Sequence, residues 1–130
     1  KYQNDVNFLF YRNQPRNIFI SIYKNAAFII GNSSSGILES ASIPIPAINV
    51  GYRQTGRLSN ENVLFVNGEI DSIVSAIDKV QSKEFEKIIQ NVKNIYGDGH
   101  SSEKALNIIK NIDFNSLLFK DEDILENASR

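Results

Sequence analysis

Apolar positions in the first part of the chain come mostly as short unbroken runs, and later ones fall at helical spacing. Val6 to Tyr11 (VNFLFY) is apolar and aromatic and predicts a strand. Pro15 keeps Gln14 out of a helix, so Arg12 to Pro15 reads as a loop. Asn17 to Asn25 follows with Ile18, Ile22 and Phe19 on one helical face. Ala26 to Ile30 (AAFII) is short and continuous, the form of a strand buried on both faces. Gly36 to Ser42 predicts a short helix with Ile37, Leu38 and Ala41 inward, ended by Pro44 and Pro46. Ala47 to Val50 and Val63 to Val66 are the next strands, with a loop over Gly51 to Gly56 after the first.

Beyond Gly68 the period becomes helical. Ile73, Ile77 and Val80 share one face, and Phe85, Ile88, Ile89, Val92 and Ile95 share another. Tyr96-Gly97-Asp98-Gly99 is a turn. Ser101 is placed to cap the helix after it, with Glu103 in the first turn where its charge suits the helix dipole. Ala105, Ile108, Ile109 and Ile112 are expected to face inward. Leu117, Leu118, Ile124 and Leu125 suggest a last, partly amphipathic helix. Strands alternating with helices predict an α/β fold with a mostly parallel, Rossmann-like sheet flanked by helices. The expected division is a main domain over 1–112, incomplete at its N-terminus, and a helical segment over 113–130.

Composition narrows the class of function. The chain has 130 residues, 42% hydrophobic and 22% charged, with a net charge of -1. That length supports a real core. That charge gives no general pull toward nucleic acid or anionic membrane, so any polyanion site must be local. The sequence has no cysteine, which excludes disulfides and thiolate metal sites. No apolar run approaches the roughly 20 residues that span a bilayer. A cytoplasmic location is the expectation. The chain begins with Lys1 and has no methionine, and it reads as a piece of a longer protein.

The segment Gly31-Asn32-Ser33-Ser34-Ser35-Gly36 is the candidate for chemistry. Open α/β sheets bind ligands beyond the carboxyl ends of their strands, which is where this segment falls. Unpaired N–H groups at the start of the next helix, two glycines and the hydroxyls of Ser33, Ser34 and Ser35 suit a diphosphate. A plain helix cap is the competing reading, although one serine suffices for that. The segment lacks the Gly-Lys-Ser/Thr of a Walker A loop. Glu39, about one turn into the helix, offers two acceptor oxygens to the paired hydroxyls of a ribose; the alternative is an exposed helix glutamate. Arg53 and Arg57 lie in the loop after the next strand, expected at the same sheet edge, where a guanidinium forks onto phosphate oxygens. The alternative is an ordinary basic loop. Asn49 and Gln54 are weaker polar candidates. His100, the one histidine, reads better as an exposed residue near a helix start than as a ligand group. No His, Asp or Glu set has metal-ligand spacing, and the serines lack a base that would make a nucleophile.

Three segments in order, GNSSSGILES, INVGYRQTGRLSNENVLFV and YGDGHSSEKALNII, resemble the hydrolysing UDP-N-acetylglucosamine 2-epimerases of sialic and legionaminic acid synthesis. The resemblance covers about Phe8 to Ile109. It implies the truncated C-terminal half of a two-domain, glycosyltransferase-B-like enzyme. UDP would be held by this half and the N-acetylated sugar would lie in the cleft between domains. By motif, Ser33 and Ser34 would hold the diphosphate with Ser35 and Gly36. Glu39 would take the ribose and Arg53 would lie at the nucleotide. Asn32, Arg57 and His100 are auxiliary candidates, and His100 stands where the family usually has Asn.

The family reaction eliminates UDP to a glycal, then adds water with inversion at C2 to give N-acetylmannosamine. Its acid and base carboxylates belong to the N-terminal domain, so no catalytic residue is assigned here and the chain alone is expected to be inactive. No metal, redox cofactor, nucleic acid or membrane partner is implied. The expected partners are UDP, a UDP-N-acetyl-aminosugar, the N-terminal domain and, in an oligomer, other copies of the chain. Alternatives are an epimerase for UDP-diacetylbacillosamine, a UDP-sugar glycosyltransferase of similar fold, and a nucleotide-sugar-binding module without chemistry.

Overall fold

The computed structural model describes residue 2 and residues 5–117. Contacts divide the chain into two compact units, Lys1–Tyr96 and Gly97–Arg130. The first holds helices α1 (Arg16–Asn25), α2 (Ser35–Ser42), α3 (Ile70–Val80) and α4 (Lys83–Asn91) with strands β1 (Ile29–Gly31), β2 (Ala47–Val50) and β3 (Val63–Val66). The second holds α5 (Ser101–Asn111) and a 3₁₀ turn over Phe114–Leu117. Leu118, Ile124 and Leu125 lie outside the described residues. Among the described residues no helix is long and apolar enough to cross a membrane.

The sheet is parallel, in the order β1-β2-β3. Its register sets Gly31 beside Asn49 and Asn49 beside Phe65. Side chains alternate between faces along a strand, and β2 shows how both faces are used. Ala47 packs with Ile37 of α2 and Val63 on one side. Ile48 packs with Ala76, Val80 and Phe85 of α3 and α4 on the other. A strand covered on both faces has no reason to alternate with polar residues, which is why its sequence is a continuous apolar run.

Asn62 ties the connections together. It is fully buried, and its Nδ2 donates to Ser40 O at 3.1 Å and Ile45 O at 2.8 Å. The end of α2, the approach to β2 and the start of β3 are thereby joined through one side chain. Ser82 begins α4 by accepting from Phe85 N at 3.2 Å. That bond fixes the turn from which Phe85, 1% exposed, enters the core.

Several expectations are corrected. Val6 to Tyr11 is not a strand: Asp5 Oδ1 accepts from Asn7 N and Nδ2 at 3.0 and 2.9 Å, making a turn. The rings of Tyr2, Phe8 and Phe10 stack on one another instead of entering the sheet. In α1 the buried residue is Tyr23, with Phe19 edge-on to it, while Ile18 and Ile22 are exposed. In α2 Leu38 is exposed and Ser40 is buried in its stead. Ser40 tolerates burial because its hydroxyl donates to Gly36 O at 2.7 Å.

Ile95 falls past the end of α4 and is exposed. Ser101 does not cap α5: His100 occupies the cap position, so Ser101 is already the first helical residue. Asp98 does the work at that turn, accepting from His100 N at 3.1 Å and from Lys104 Nζ at 2.8 and 2.9 Å. The Lys104 ammonium holds the Asp98 carboxyl below its usual range, with help from the His100 N–H. Ala105, Ile108, Ile109 and Ile112 are exposed rather than inward. An amphipathic period marks the apolar side of a helix but does not supply the surface that covers it.

Candidate functional site

β1 delivers the chain to Gly31 at the carboxyl edge of the sheet, and α2 begins at Ser35. Between them Asn32, Ser33 and Ser34 form the loop. The first turn of α2 is more self-contained than its sequence suggests. Ser33 Oγ accepts from Ser35 N at 3.2 Å. Gly36 N donates to Ser33 O at 3.1 Å and Ile37 N to Ser34 O at 3.0 Å. The N–H groups expected to be unpaired are therefore engaged, the later two in 3₁₀-type bonds that tighten helix ends. A phosphate reaching Ser35 N has to displace the Ser33 hydroxyl, which is free to rotate onto the anion. Ser35 Oγ is enclosed and has no hydrogen-bond partner among the described residues.

Helix α1 reaches α2 through two side chains. Tyr23 Oη donates to Ser35 O at 2.8 Å. Burial pushes the Tyr23 phenol up to about 12; the hydrogen bond at Ser35 opposes that rise and the nearby Glu39 charge adds to it. One turn further along α2, Glu39 Oε1 pairs with Arg16 Nη1 at 3.0 Å. Glu39 is thus not the free exposed glutamate of the simpler reading; its side chain is 20% exposed and already oriented by Arg16.

β2 carries Asn49 to the same edge, and by alternation it shares Ala47's side of the sheet. Asn49 is 2% exposed, and among the described residues both side-chain polar atoms lack a hydrogen-bond partner. The next loop is bounded by Gly51 and Gly56 at φ of 81° and 83°. Those left-handed values suit glycine and let the chain double back within a few residues. Arg53 and Arg57 are exposed on this loop. Gln54 is the opposite: 3% exposed, it turns inward and donates from Nε2 to Asn32 O at 3.0 Å. The arginine loop and the serine loop are therefore joined at one sheet edge. A cavity of about 340 Å³ opens beside it, lined by Gly51, Tyr52, Thr55 and Phe65 among others.

The structure thus brings together Asn32, Ser33, Ser34, Ser35 and Gly36 with the loop that carries Arg53 and Arg57, and sets Glu39 one turn behind. His100 belongs to the second unit, where its Nδ1 lies 3.1 Å from Glu103 Oε2. Sequence reasoning missed Arg16 and Tyr23 and undervalued Gln54. Their acceptors are a carboxylate and backbone carbonyls distant in sequence, for which no local motif exists.

The model of the UDP-N-acetylglucosamine 2-epimerase family matches residues 1–110. The chain belongs to that family. Among its relatives, a UDP-N,N'-diacetylbacillosamine 2-epimerase (hydrolyzing) from Legionella pneumophila is 35% identical over 112 residues, 86% of this chain and 28% of that protein. A GDP/UDP-N,N'-diacetylbacillosamine 2-epimerase (hydrolyzing) from Campylobacter jejuni is 39% identical over 103 residues, 78% of this chain and 26% of that protein. A UDP-N-acetylglucosamine 2-epimerase from Neisseria meningitidis is 34% identical over 82 residues, 63% of this chain and 22% of that protein. The chain thus spans about a quarter of the length of these epimerases. The parallel sheet with helices on both faces is compatible with a Rossmann-like part of such an enzyme.

Proposed function

We propose that this epimerase-family chain is the UDP-holding part of a hydrolysing UDP-N-acetylglucosamine 2-epimerase, the full-length protein releasing N-acetylmannosamine and UDP for sialic-acid-type sugar synthesis. The observation that carries the reading is the Gln54–Asn32 bond, which closes the serine loop and the arginine loop into one edge site. Ser33 and Ser34 meet the diphosphate with their hydroxyls. Ser35 offers its N–H at the positive end of α2 once the Ser33 hydroxyl turns to the anion, and Gly36, without a side chain, lets the phosphate come close to the backbone. Arg53 supplies the charge that the chain as a whole, at -1, does not. Glu39 keeps one oxygen on Arg16 and turns the other to the ribose. The chemistry itself needs acid and base groups outside this chain, and the work of these residues is to hold the leaving nucleotide in place.

A second reading concerns the sugar. Two of the relatives named above carry diacetylbacillosamine in their names, and that sugar would share every contact made here to the UDP. Incubating the full-length protein with each UDP-sugar and following UDP release separates the two.

The nucleotide assignment is tested by calorimetric titration of the full-length protein with UDP. Ser34→Ala and Glu39→Ala are each expected to weaken binding roughly tenfold or more, the loss of a hydrogen bond to a charged partner. Unchanged affinity in both variants would remove the site from this edge of the sheet.

A further inference from the structure

We infer that Gln54 is a positioning residue: it sets the serine loop and the arginine loop in register, so that both close on the diphosphate of the same nucleotide. The inference rests on the UDP reading above and adds a residue that touches no ligand.

Three observations carry it. Gln54 is almost completely buried in a loop whose neighbours Tyr52, Arg53, Thr55 and Gly56 are exposed. A long polar side chain is rarely buried unless it is bonded there. Its amide nitrogen reaches Asn32 O, 22 positions earlier, at 3.0 Å. Asn32 immediately precedes Ser33, whose hydroxyl and carbonyl organise the first turn of α2. The same loop is fixed at its far side by Gly51 N donating to Val66 O at 2.8 Å, and Gln54 O accepts from Arg57 N at 3.2 Å. The amide of Gln54 is thus the link by which a displacement of the arginine loop is transmitted to the serine loop. Among the described residues its Oε1 is enclosed without a partner, and the side chain is held through the Nε2 bond.

The chemistry at position 54 is specific. A donor is needed, because the partner is a carbonyl. Glutamate has the same length but presents an acceptor, and it sets a negative charge against the Asn32 carbonyl. Methionine keeps the length and removes the donor.

The test uses the full-length protein with Gln54→Met and Gln54→Glu. Affinities for UDP and for uridine are measured alongside thermal melting. UDP binding is expected to fall roughly fivefold or more in Gln54→Met, the loss of one hydrogen bond, and further in Gln54→Glu. Uridine, which has no phosphate, should bind each variant as it binds the wild type. The informative quantity is the ratio of the two affinities, which a general loosening of the fold leaves unchanged. Should Gln54→Met fail to fold, the ratio is read from Gln54→Glu. Equal loss of UDP and uridine, or no loss of either, overturns the positioning role. Wild-type protein that binds no UDP overturns the functional reading itself, which keeps the two failures apart.

Discussion

Tyr23 reaches from α1 to the carbonyl of Ser35, the first residue of α2, and is 3% exposed while doing so. Removing its hydroxyl in Tyr23→Phe leaves that carbonyl without this donor and is expected to cost about 1 kcal/mol of stability at neutral pH, by chemical denaturation. The pH dependence follows from the raised phenol. Folding favours the neutral form, so the contribution is complete below the unfolded value of 10.0 and is lost as pH rises toward about 12. The wild type should therefore lose stability over that interval more steeply than Tyr23→Phe, and since a rise from 10.0 to about 12 is worth about 2.7 kcal/mol, the two curves should cross at high pH. Parallel curves would show that Tyr23 titrates as it does in the unfolded chain. The Arg16–Glu39 pair contributes differently. The Arg16 side chain is 72% exposed, so its value lies in orienting Glu39 more than in stability.

The elements divide by how local their causes are. β2 and β3 coincide with apolar runs visible in the sequence; β2 carries apolar residues on both faces because both are packed, whereas β3 leaves Phe65 exposed. The start of α1 follows from Pro15, and the loop after β2 from its two glycines. The run VNFLFY has equal strand character yet turns at Asp5, since propensity competes with a side chain that bonds its own neighbours. Ser40 and Tyr23 displaced Leu38 and Ile22 from buried positions because each found a carbonyl to donate to, and no hydrophobic pattern registers that. The site divides the same way. The Gly31 to Gly36 loop was legible from composition and place, whereas the Gln54 contact depends on how the loops fold back. At this scale Asn62 is the most exacting residue. Asn62→Ala removes both bonds that join the ends of α2, β2 and β3, and should lower stability by about 2–3 kcal/mol in denaturant titration. A change within about 0.5 kcal/mol would show that the connections hold without it.

Across the whole molecule, the chain accounts for about a quarter of the length of the epimerases it matches. The residues proposed to hold UDP all lie in the first compact unit, and the one carboxylate among them, Glu39, is paired with Arg16 and assigned to the ribose rather than to the sugar. Expressed by itself, the chain is expected to show no release of UDP from UDP-N-acetylglucosamine in a coupled assay under conditions where the full-length protein turns over. Turnover by the chain alone would relocate the catalytic groups to within it.

The contact between the two loops is lopsided: one end is an amide side chain and the other a main-chain oxygen. Every residue carries that oxygen, so replacing Asn32 leaves the acceptor in place while replacing Gln54 deletes the donor. Among natural variants and in a saturation library, tolerance at the two ends should therefore be unequal. Any intolerance at Asn32 then reports what its own side chain does, and intolerance at Gln54 reports the geometry of the cradle.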